Sequence, residues 1–319
     1  MLSVLTAAEL LWWAIAWWAG VAPLPYLPVY WALALCGLAA ALGLRLALRV
    51  RGPRPSWPAL LAGTALLGLG ASLFLPLKYA IPSAIPFWLD LPLAEVERSL
   101  FGADPWQVLD PLLGALMVPI DRIYGLWVPA QTLGLFMVLV QPPSPAKSRA
   151  LIAYSLAWFV LGVVAALLFS SAGPIFYDRL FGDPRFASLG STLTERRAWI
   201  VLAQSGAMWE SLATGEPGFI AGISAFPSMH VAISLWLFLA ARALAPRAAP
   251  IAAAYFLFVW IASVQLGWHY VADGLGGAVG MLGLWLLAAP IDRALAGRMT
   301  QRRFDTSLPR AGNDGDQAI

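Results

Sequence analysis

The chain has 319 residues, of which 60% are hydrophobic and 12% are charged, and its formal net charge at neutral pH is +3. Its mean hydropathy is +0.74, which excludes a soluble globular domain and predicts an integral membrane protein. The arginines are scattered between apolar segments and form no basic stripe, so we expect no nucleic-acid partner.

Apolar runs of about 20 residues, the length that a bilayer requires, are separated by charged or proline-rich breaks. In chain order they cover residues 3–21, 27–48, 58–77, 123–141, 150–170, 229–246, 250–267 and 270–290. We therefore predict an all-α fold, a polytopic transmembrane helical bundle of about eight spans. Residues 1–57 are expected to form two additional N-terminal transmembrane helices, residues 58–300 a six-helix core, and residues 301–319 a disordered cytoplasmic tail.

The short loops that follow the even-numbered runs are basic, which the positive-inside rule places in the cytoplasm. Their cations are Arg45, Arg49, Arg51 and Arg54, then Lys147 and Arg149, then Arg242 and Arg247, and finally Arg293, Arg298, Arg302 and Arg303. Both termini are then cytoplasmic. The long connections 78–122 and 171–228 lie on the outer face of what we expect to be a bacterial plasma membrane.

Both outer connections carry helix signals. Asp104, followed by a proline, supplies a capping carboxylate for a short helix along the interface. Thr192 and Glu195 have the spacing of a capping box ahead of a second helical segment, which Gly215 ends. The alternative is that these segments only cover the ends of the spanning helices.

The chain contains two histidines, His230 and His269, and each begins an apolar run. One run crosses inward after His230 and the next crosses back before His269, so both histidines are expected on the outer face. Each then lies at a helix N-terminus, where free backbone N–H groups and the helix dipole favour an anion. We therefore expect a phosphate site between them, with Ser228 either capping the first helix or offering its hydroxyl to a bound oxygen.

Asp273 follows His269 by four residues, so the two side chains lie on one face of a helix. A carboxylate that accepts from one ring N–H fixes the tautomer and leaves the other nitrogen with a free lone pair. This arrangement is what a nucleophilic imidazole requires. For either histidine motif alone, the alternative is a structural contact at the membrane interface.

The sequences Pro-Ser-Met-His at 227–230 and His-Tyr-Val-Ala-Asp at 269–273 resemble the two signatures of the phosphatidic acid phosphatase type 2 superfamily, Pro-Ser-x-His and His-x3-Asp. The resemblance covers about residues 58–290. The motif variant Ser-Met-His with His-Tyr-x-x-Asp is similar to the branch of the superfamily that includes inositol phosphorylceramide synthases. The resemblance implies that His269 attacks phosphorus, His230 protonates the leaving oxygen and Asp273 orients the nucleophile. It also implies a lipid phosphate substrate, water or an alcohol as acceptor, and neither a metal nor an organic cofactor.

Two positions depart from the superfamily pattern. The arginine that usually stands six residues before the nucleophile is Ser263 here, and the usual Lys-x6-Arg-Pro motif is absent from the outer loops. We expect the outer-loop residues Arg179 and Arg185 to bind phosphate instead, since a guanidinium can hold two phosphate oxygens in a bidentate fork. A surface network of aspartates and arginines is the alternative.

Two other functions are alternatives. A lipid transporter or membrane scaffold would use the histidines only to line a polar cavity, and charges are then expected along a path through the bilayer. Glu9 is instead the main ionisable residue inside a predicted span. A vanadate-dependent peroxidase uses a similar anion site, but the number of spans argues against it. A lipid phosphotransferase resembling inositolphosphotransferases, or a lipid phosphate phosphatase, is therefore the predicted function, and the sequence leaves the donor, the acceptor and the oligomeric state open.

Overall fold

The computed structural model describes residues 27–47, 57–216 and 222–307, and no strand occurs in them. The first helices are α1 (Leu27–Ala47), α2 (Trp57–Ala84), α3 (Asp90–Phe101), α4 (Pro105–Leu113), α5 (Met117–Gly125), α6 (Trp127–Leu139) and α7 (Pro145–Leu168). They are followed by α8 (Pro174–Phe181), α9 (Ala187–Glu195), α10 (Trp199–Thr214), α11 (Met229–Leu244), α12 (Ala249–Gln265) and α13 (Val271–Ser307).

Three stretches of the described chain are helical, long and apolar enough to cross a bilayer: Pro145–Leu168, Pro246–Gln265 and Val271–Ala294. The pair Pro105–Gly125 and Trp127–Leu139, which bends by 42° at its junction, makes a fourth if it forms one span. The described residues therefore support a helical integral membrane protein with three to four candidate spans. The predicted number of about eight spans is not confirmed, and the run at 3–21 lies outside the described residues.

Helix α11 lies at the centre of the bundle and packs against α6, α7, α12 and α13. Its residues Val231, Ala232 and Ile233 are fully buried, as expected for a helix that is covered on all sides. Trp236 is also fully buried, and its Nε1 donates to the carbonyl of Ala150 at 2.8 Å. This packing fixes the position of the N-terminus of α11, where His230 lies.

Basic side chains hold the end of α6 that is remote from the histidines. The helix begins beside His230. At its other end, Arg45 donates to the carbonyl of Val140 at 2.7 Å and Lys147 donates to the carbonyl of Gln141 at 2.8 Å. Cations at a helix C-terminus satisfy carbonyls that have no partner within the helix. These two cations and the histidines therefore lie at opposite ends of the bundle.

The predicted helix start at Asp104 is confirmed. Helix α4 begins at the next residue, and the side chain of Gln107 accepts from Asp104 N at 3.3 Å. The predicted stop at Gly215 is also confirmed, because Gly215 ends α10 with φ of 73°, a conformation that glycine adopts without strain.

The predicted capping box at Thr192 and Glu195 is wrong. Both residues lie near the C-terminus of α9, not at the start of the following helix. The N-terminus of α10 is bound instead by Asp121 from α5, whose carboxylate accepts from Ile200 N at 2.8 Å and from Val201 N at 2.9 Å. A carboxylate distant in sequence thus satisfies these backbone groups, which local spacing could not reveal.

Helix α13 extends to Ser307, so residues 301–307, for which we predict disorder, are helical. Arginine and glutamine are good helix formers, and the first proline after this stretch is Pro309. Residues 308–319 lie outside the described part of the chain.

Candidate active site

His230 lies in the first turn of α11 between two aromatic rings. Tyr124 stacks on its imidazole with the ring centroids 5.1 Å apart, and the Trp127 ring lies 4.3 Å away. Trp127 Nε1 also donates to the carbonyl of His230 at 3.1 Å. These contacts hold the imidazole in one orientation at the helix N-terminus.

His269 lies in the turn between α12 and α13, beside Asp273. Its Nδ1 is 3.3 Å from Asp273 Oδ2, and Tyr270 N donates to the same oxygen at 2.9 Å. A carboxylate next to Nδ1 favours the tautomer in which Nδ1 carries the proton, so that Nε2 keeps its lone pair. The predicted pairing of His269 with Asp273 is therefore confirmed.

The structure brings the two histidines together, with ring centroids 5.7 Å apart. Ser228 N donates to the carbonyl of Asp273 at 2.9 Å, which joins the N-terminus of α11 to the first turn of α13. Gly277 permits this approach, because a Cβ there would lie 2.3 Å from the Ser228 carbonyl oxygen. The predicted convergence of His230 and His269 is therefore confirmed.

Two buried carboxylates of α3 support the loops around His269, and neither was predicted from the sequence. Glu97 Oε1 accepts from Ala272 N at 2.7 Å, at the start of α13. Asp90 Oδ1 accepts from Gly173 N at 2.7 Å, just before α8. Burial raises the pKa of both carboxyls, to about 7 for Glu97, against the hydrogen bonds that they accept. Both carboxylates accept from backbone groups that are distant in the sequence, so no local motif could predict these contacts.

Lys78 of α2 supplies a positive charge to this site. After burial, its positive charge is a further cause that lowers the pKa of His269. Within residues 27–47, 57–216 and 222–307, no carboxylate pairs with Lys78 and no hydrogen bond reaches its Nζ. Gly222 packs on the side chain, since a Cβ there would lie 2.9 Å from Lys78 Cγ. The Lys78 charge is therefore available to an anion.

The sequence carries a signal for Lys78. Ile85 and Pro86 follow it at the spacing of the Lys-x6-Arg-Pro motif, with isoleucine in place of arginine. The complete motif is absent, but its lysine is retained.

His269 is 5% exposed and has no room for a hydration shell. Burial and the positive charge of Lys78 lower the pKa of His269 to about 3, against a hydrogen bond with the Ala225 backbone that raises it. The imidazole is therefore neutral at physiological pH, as a nucleophile must be.

The two arginines predicted to bind phosphate make other contacts. Arg185 donates to Asp104 Oδ1 at 2.8 Å and to Glu95 Oε1 at 2.6 Å, and so joins the segment after α8 to α3 and α4. Arg179 lies over the ring of Trp209, with its guanidinium carbon 5.5 Å from the ring centroid. The contacts of Arg185 match the alternative network of aspartates and arginines, and phosphate binding by either arginine stays a prediction.

Two serines near the histidines have structural contacts. Ser228 is fully buried, and its Oγ accepts from Val231 N at 3.3 Å, so that it caps α11. Of the two roles predicted for Ser228, capping is the one observed, and phosphate binding stays a prediction. Ser263, at the position of the usual arginine, is also fully buried and donates to the carbonyl of Trp260 at 2.7 Å.

A family model described as the PAP2 superfamily matches residues 92–287 of the chain. The match contains His230, His269 and Asp273 and begins after Lys78. No curated protein and no solved structure matches the chain. The resemblance is thus confirmed for the superfamily and not for the branch of inositol phosphorylceramide synthases. Because the match spans more than half of the 319 residues, the chain belongs to the PAP2 superfamily.

Proposed function

We propose that this protein is an integral membrane enzyme that transfers phosphoryl groups from lipid phosphate esters through a phosphohistidine at His269. The observation that carries the proposal is the pair of imidazoles with centroids 5.7 Å apart, of which one lies beside Asp273. Membership of the PAP2 superfamily supports a phosphatase or phosphotransferase activity on lipid phosphates. The candidate spans support a substrate that lies in the bilayer.

In the first step, Nε2 of His269 attacks the phosphorus atom of the lipid ester. A P–N bond forms, the P–O bond to the leaving group breaks, and His230 donates a proton to the departing oxygen. Asp273 stabilises the positive charge that the attacking imidazole acquires. The buried site alone favours neutral His230. The negative charge of the bound phosphate is what favours the protonated form that can donate a proton.

In the second step, water or an alcohol attacks the phosphorus, the P–N bond breaks and His230 accepts the proton of the attacking hydroxyl. Lys78 and the N-termini of α11 and α13 stabilise the charge on the phosphoryl oxygens in both steps. Positioning and electrostatic stabilisation of this kind account for most of the catalysis in phosphoryl transfer.

We propose an alcohol, such as an inositol-like polyol or a lipid alcohol, as the acceptor. The variant Ser-Met-His with His-Tyr-x-x-Asp, which is similar to the branch of inositol phosphorylceramide synthases, supports this choice. The test is to incubate the purified protein with labelled lipid phosphate, with and without the alcohol. We expect a phosphorylated alcohol. Free phosphate alone would identify a phosphatase, and no turnover of either kind would favour a transporter or scaffold.

We place the catalytic end of the bundle at the extracytoplasmic face of the membrane. Arg45 and Lys147 lie at the opposite end, and the positive-inside rule assigns such cations to the cytoplasm. Modification of single cysteines introduced at each end, with a reagent that does not cross the membrane, tests this orientation.

Replacement of Lys78 by Met is expected to lower kcat/KM by roughly 10²–10³, the loss typical when one group that stabilises transition-state charge is removed. Lys78→Arg keeps the charge and should retain part of the activity. Arg247→Met, at an exposed position beyond the other end of α11, is the matched control. Steady-state assays of the purified variants measure the effect, and full activity in Lys78→Met would remove Lys78 from the site.

The pH profile of kcat/KM should show no protonation of His269 between about pH 5 and pH 7, because kcat/KM reports the free enzyme. The pKa of His269 is lowered to about 3, so the ring stays neutral over this range. In Lys78→Met a repulsive charge is lost, the pKa of His269 rises and the acid limb should move to higher pH. The measurement needs a phosphodiester substrate, whose charge does not change in this range. A wild-type acid limb near the ordinary imidazole value of about 6.5 that stays in place in Lys78→Met would contradict the assignment.

A further inference from the structure

A cavity of about 430 Å³ lies between α5 and the N-terminus of α10. This volume is within the range of about 300–1,000 Å³ that is typical of small-molecule sites. Its lining residues are Val118, Asp121, Arg122, Arg197, Trp199 and Ile200. Tyr124 of the same helix α5 stacks on His230, so this cavity, named here the Arg122/Arg197 cavity, lies at the catalytic end of the bundle but is lined by a different set of residues.

The Arg122/Arg197 cavity carries an excess of positive charge. Arg122 and Arg197 are exposed, and neither forms an ion pair with any residue of the described segments. Asp121 is the carboxylate in the lining, and it is 3% exposed. Its two oxygens already accept from the backbone N–H groups of Ile200 and Val201. The two guanidinium groups are therefore available to an anion, and guanidinium matches the geometry of phosphate oxygens.

The backbone of Arg197 is held in an unusual conformation. Its φ is 60°, in the left-handed region where residues other than glycine and asparagine are uncommon. Hydrogen bonds from Arg197 N to the Thr194 carbonyl at 3.1 Å and from Ala198 N to the Leu193 carbonyl at 2.9 Å hold this turn. Strained backbone of this kind is concentrated at functional sites, and here it directs an arginine to a cavity where glycine would suit the backbone better.

The surface next to the Arg122/Arg197 cavity is apolar and exposed. Trp199 is 58% exposed, Ile123 is 43% exposed and Leu126 is 57% exposed. Tryptophan and arginine beside an apolar surface are typical of the level at which lipid headgroups meet the hydrocarbon. We propose that the Arg122/Arg197 cavity binds the phosphate headgroup of an anionic phospholipid, whose acyl chains lie on this apolar surface. This lipid is a resident ligand and not the lipid that is turned over at the histidines.

The test is native mass spectrometry of the full chain in detergent with phosphatidylglycerol, and with zwitterionic phosphatidylcholine for comparison. All proteins carry His269→Gln, so that no lipid is consumed. The test variant is Arg122→Gln with Arg197→Gly, because glycine relieves the positive φ and the variant should fold. The control variant is Arg242→Gln with Arg247→Gln, at exposed positions of the opposite end. Unfolding temperatures of all proteins verify the fold, and Arg197→Gly alone serves as a milder second variant.

We expect the test variant to bind phosphatidylglycerol at least about tenfold more weakly than its parent, since two charge-assisted contacts are lost. Its binding of phosphatidylcholine should stay unchanged. The control variant should bind phosphatidylglycerol as its parent does. Binding of phosphatidylglycerol that is equal in the test variant and its parent would overturn the proposal. Binding that survives in the test variant but is lost when Lys78→Met is added would also overturn it, because the lipid would then occupy the catalytic site. Neither outcome depends on turnover, so the proposed function is tested separately.

Discussion

Replacement of His269 by Gln is expected to abolish phosphoryl transfer, with a loss in kcat of roughly 10⁴ or more, as is typical when a catalytic nucleophile is removed. Glutamine has a similar reach and can still accept a hydrogen bond, but its amide forms no covalent bond to phosphorus. The nearby buried groups should keep their places. The measurement is the release or transfer of labelled phosphate by purified protein, with the unfolding temperature as a control for the fold.

His230→Gln separates the nucleophile from the general acid. A leaving group such as nitrophenolate departs without a proton, so a substrate that carries it bypasses the general acid but not the nucleophile. We expect this substrate to restore much of the activity of His230→Gln and none of the activity of His269→Gln. Equal rescue of both variants would contradict the assigned roles.

Replacement of Asp273 by Asn is expected to lower kcat by roughly 10²–10⁴, because the charge that supports the imidazole cation and fixes its tautomer is lost. The asparagine amide can donate to Nδ1 of His269, which would place the ring proton on Nε2, the nitrogen that must attack. If the carbonyl oxygen instead takes the place of Asp273 Oδ2, it can still accept from both His269 Nδ1 and Tyr270 N, and only the charge is lost. The substitution should therefore change the chemistry more than the fold.

Asp292→Asn is the matched control for Asp273→Asn, since both residues belong to α13 and Asp292 lies well beyond its first turns. We expect Asp292→Asn to keep its turnover. If Asp273→Asn retained nearly all of its activity with an unchanged unfolding temperature, Asp273 would be a structural residue and not a partner of the nucleophile.

Local patterns predicted the part of the site that depends on a single helix turn. The spacing of His269 and Asp273 predicted their contact, although His269 lies in the turn before α13 and not on the helix as expected. The position of Ser228 before α11 predicted its cap. The convergence of the two histidines followed from counting the spans between them, since an even number of crossings returns the chain to the same side.

The long-range part of the site could not be predicted in this way. Lys78 belongs to α2, far in sequence from both histidines, and the isoleucine at position 85 hid the motif that would have identified it. Arg185 was expected at phosphate, but the carboxylates of Asp104 and Glu95 engage its guanidinium in the structure. The predicted number of spans is also not confirmed. The apolar run 229–246, for example, corresponds to the helix Met229–Leu244, which is shorter than the helices counted as candidate spans.

The central claim is that His269 carries a covalent phosphoryl group during turnover, and trapping that group tests it most directly. The protein would be mixed with a lipid phosphate labelled at phosphorus, quenched in alkali within one turnover, digested and analysed by mass spectrometry. We expect an alkali-stable, acid-labile label on His269 that is present in His230→Gln, with slower formation, and absent in His269→Gln. Label on another residue, or transfer that proceeds in His269→Gln, would contradict the account.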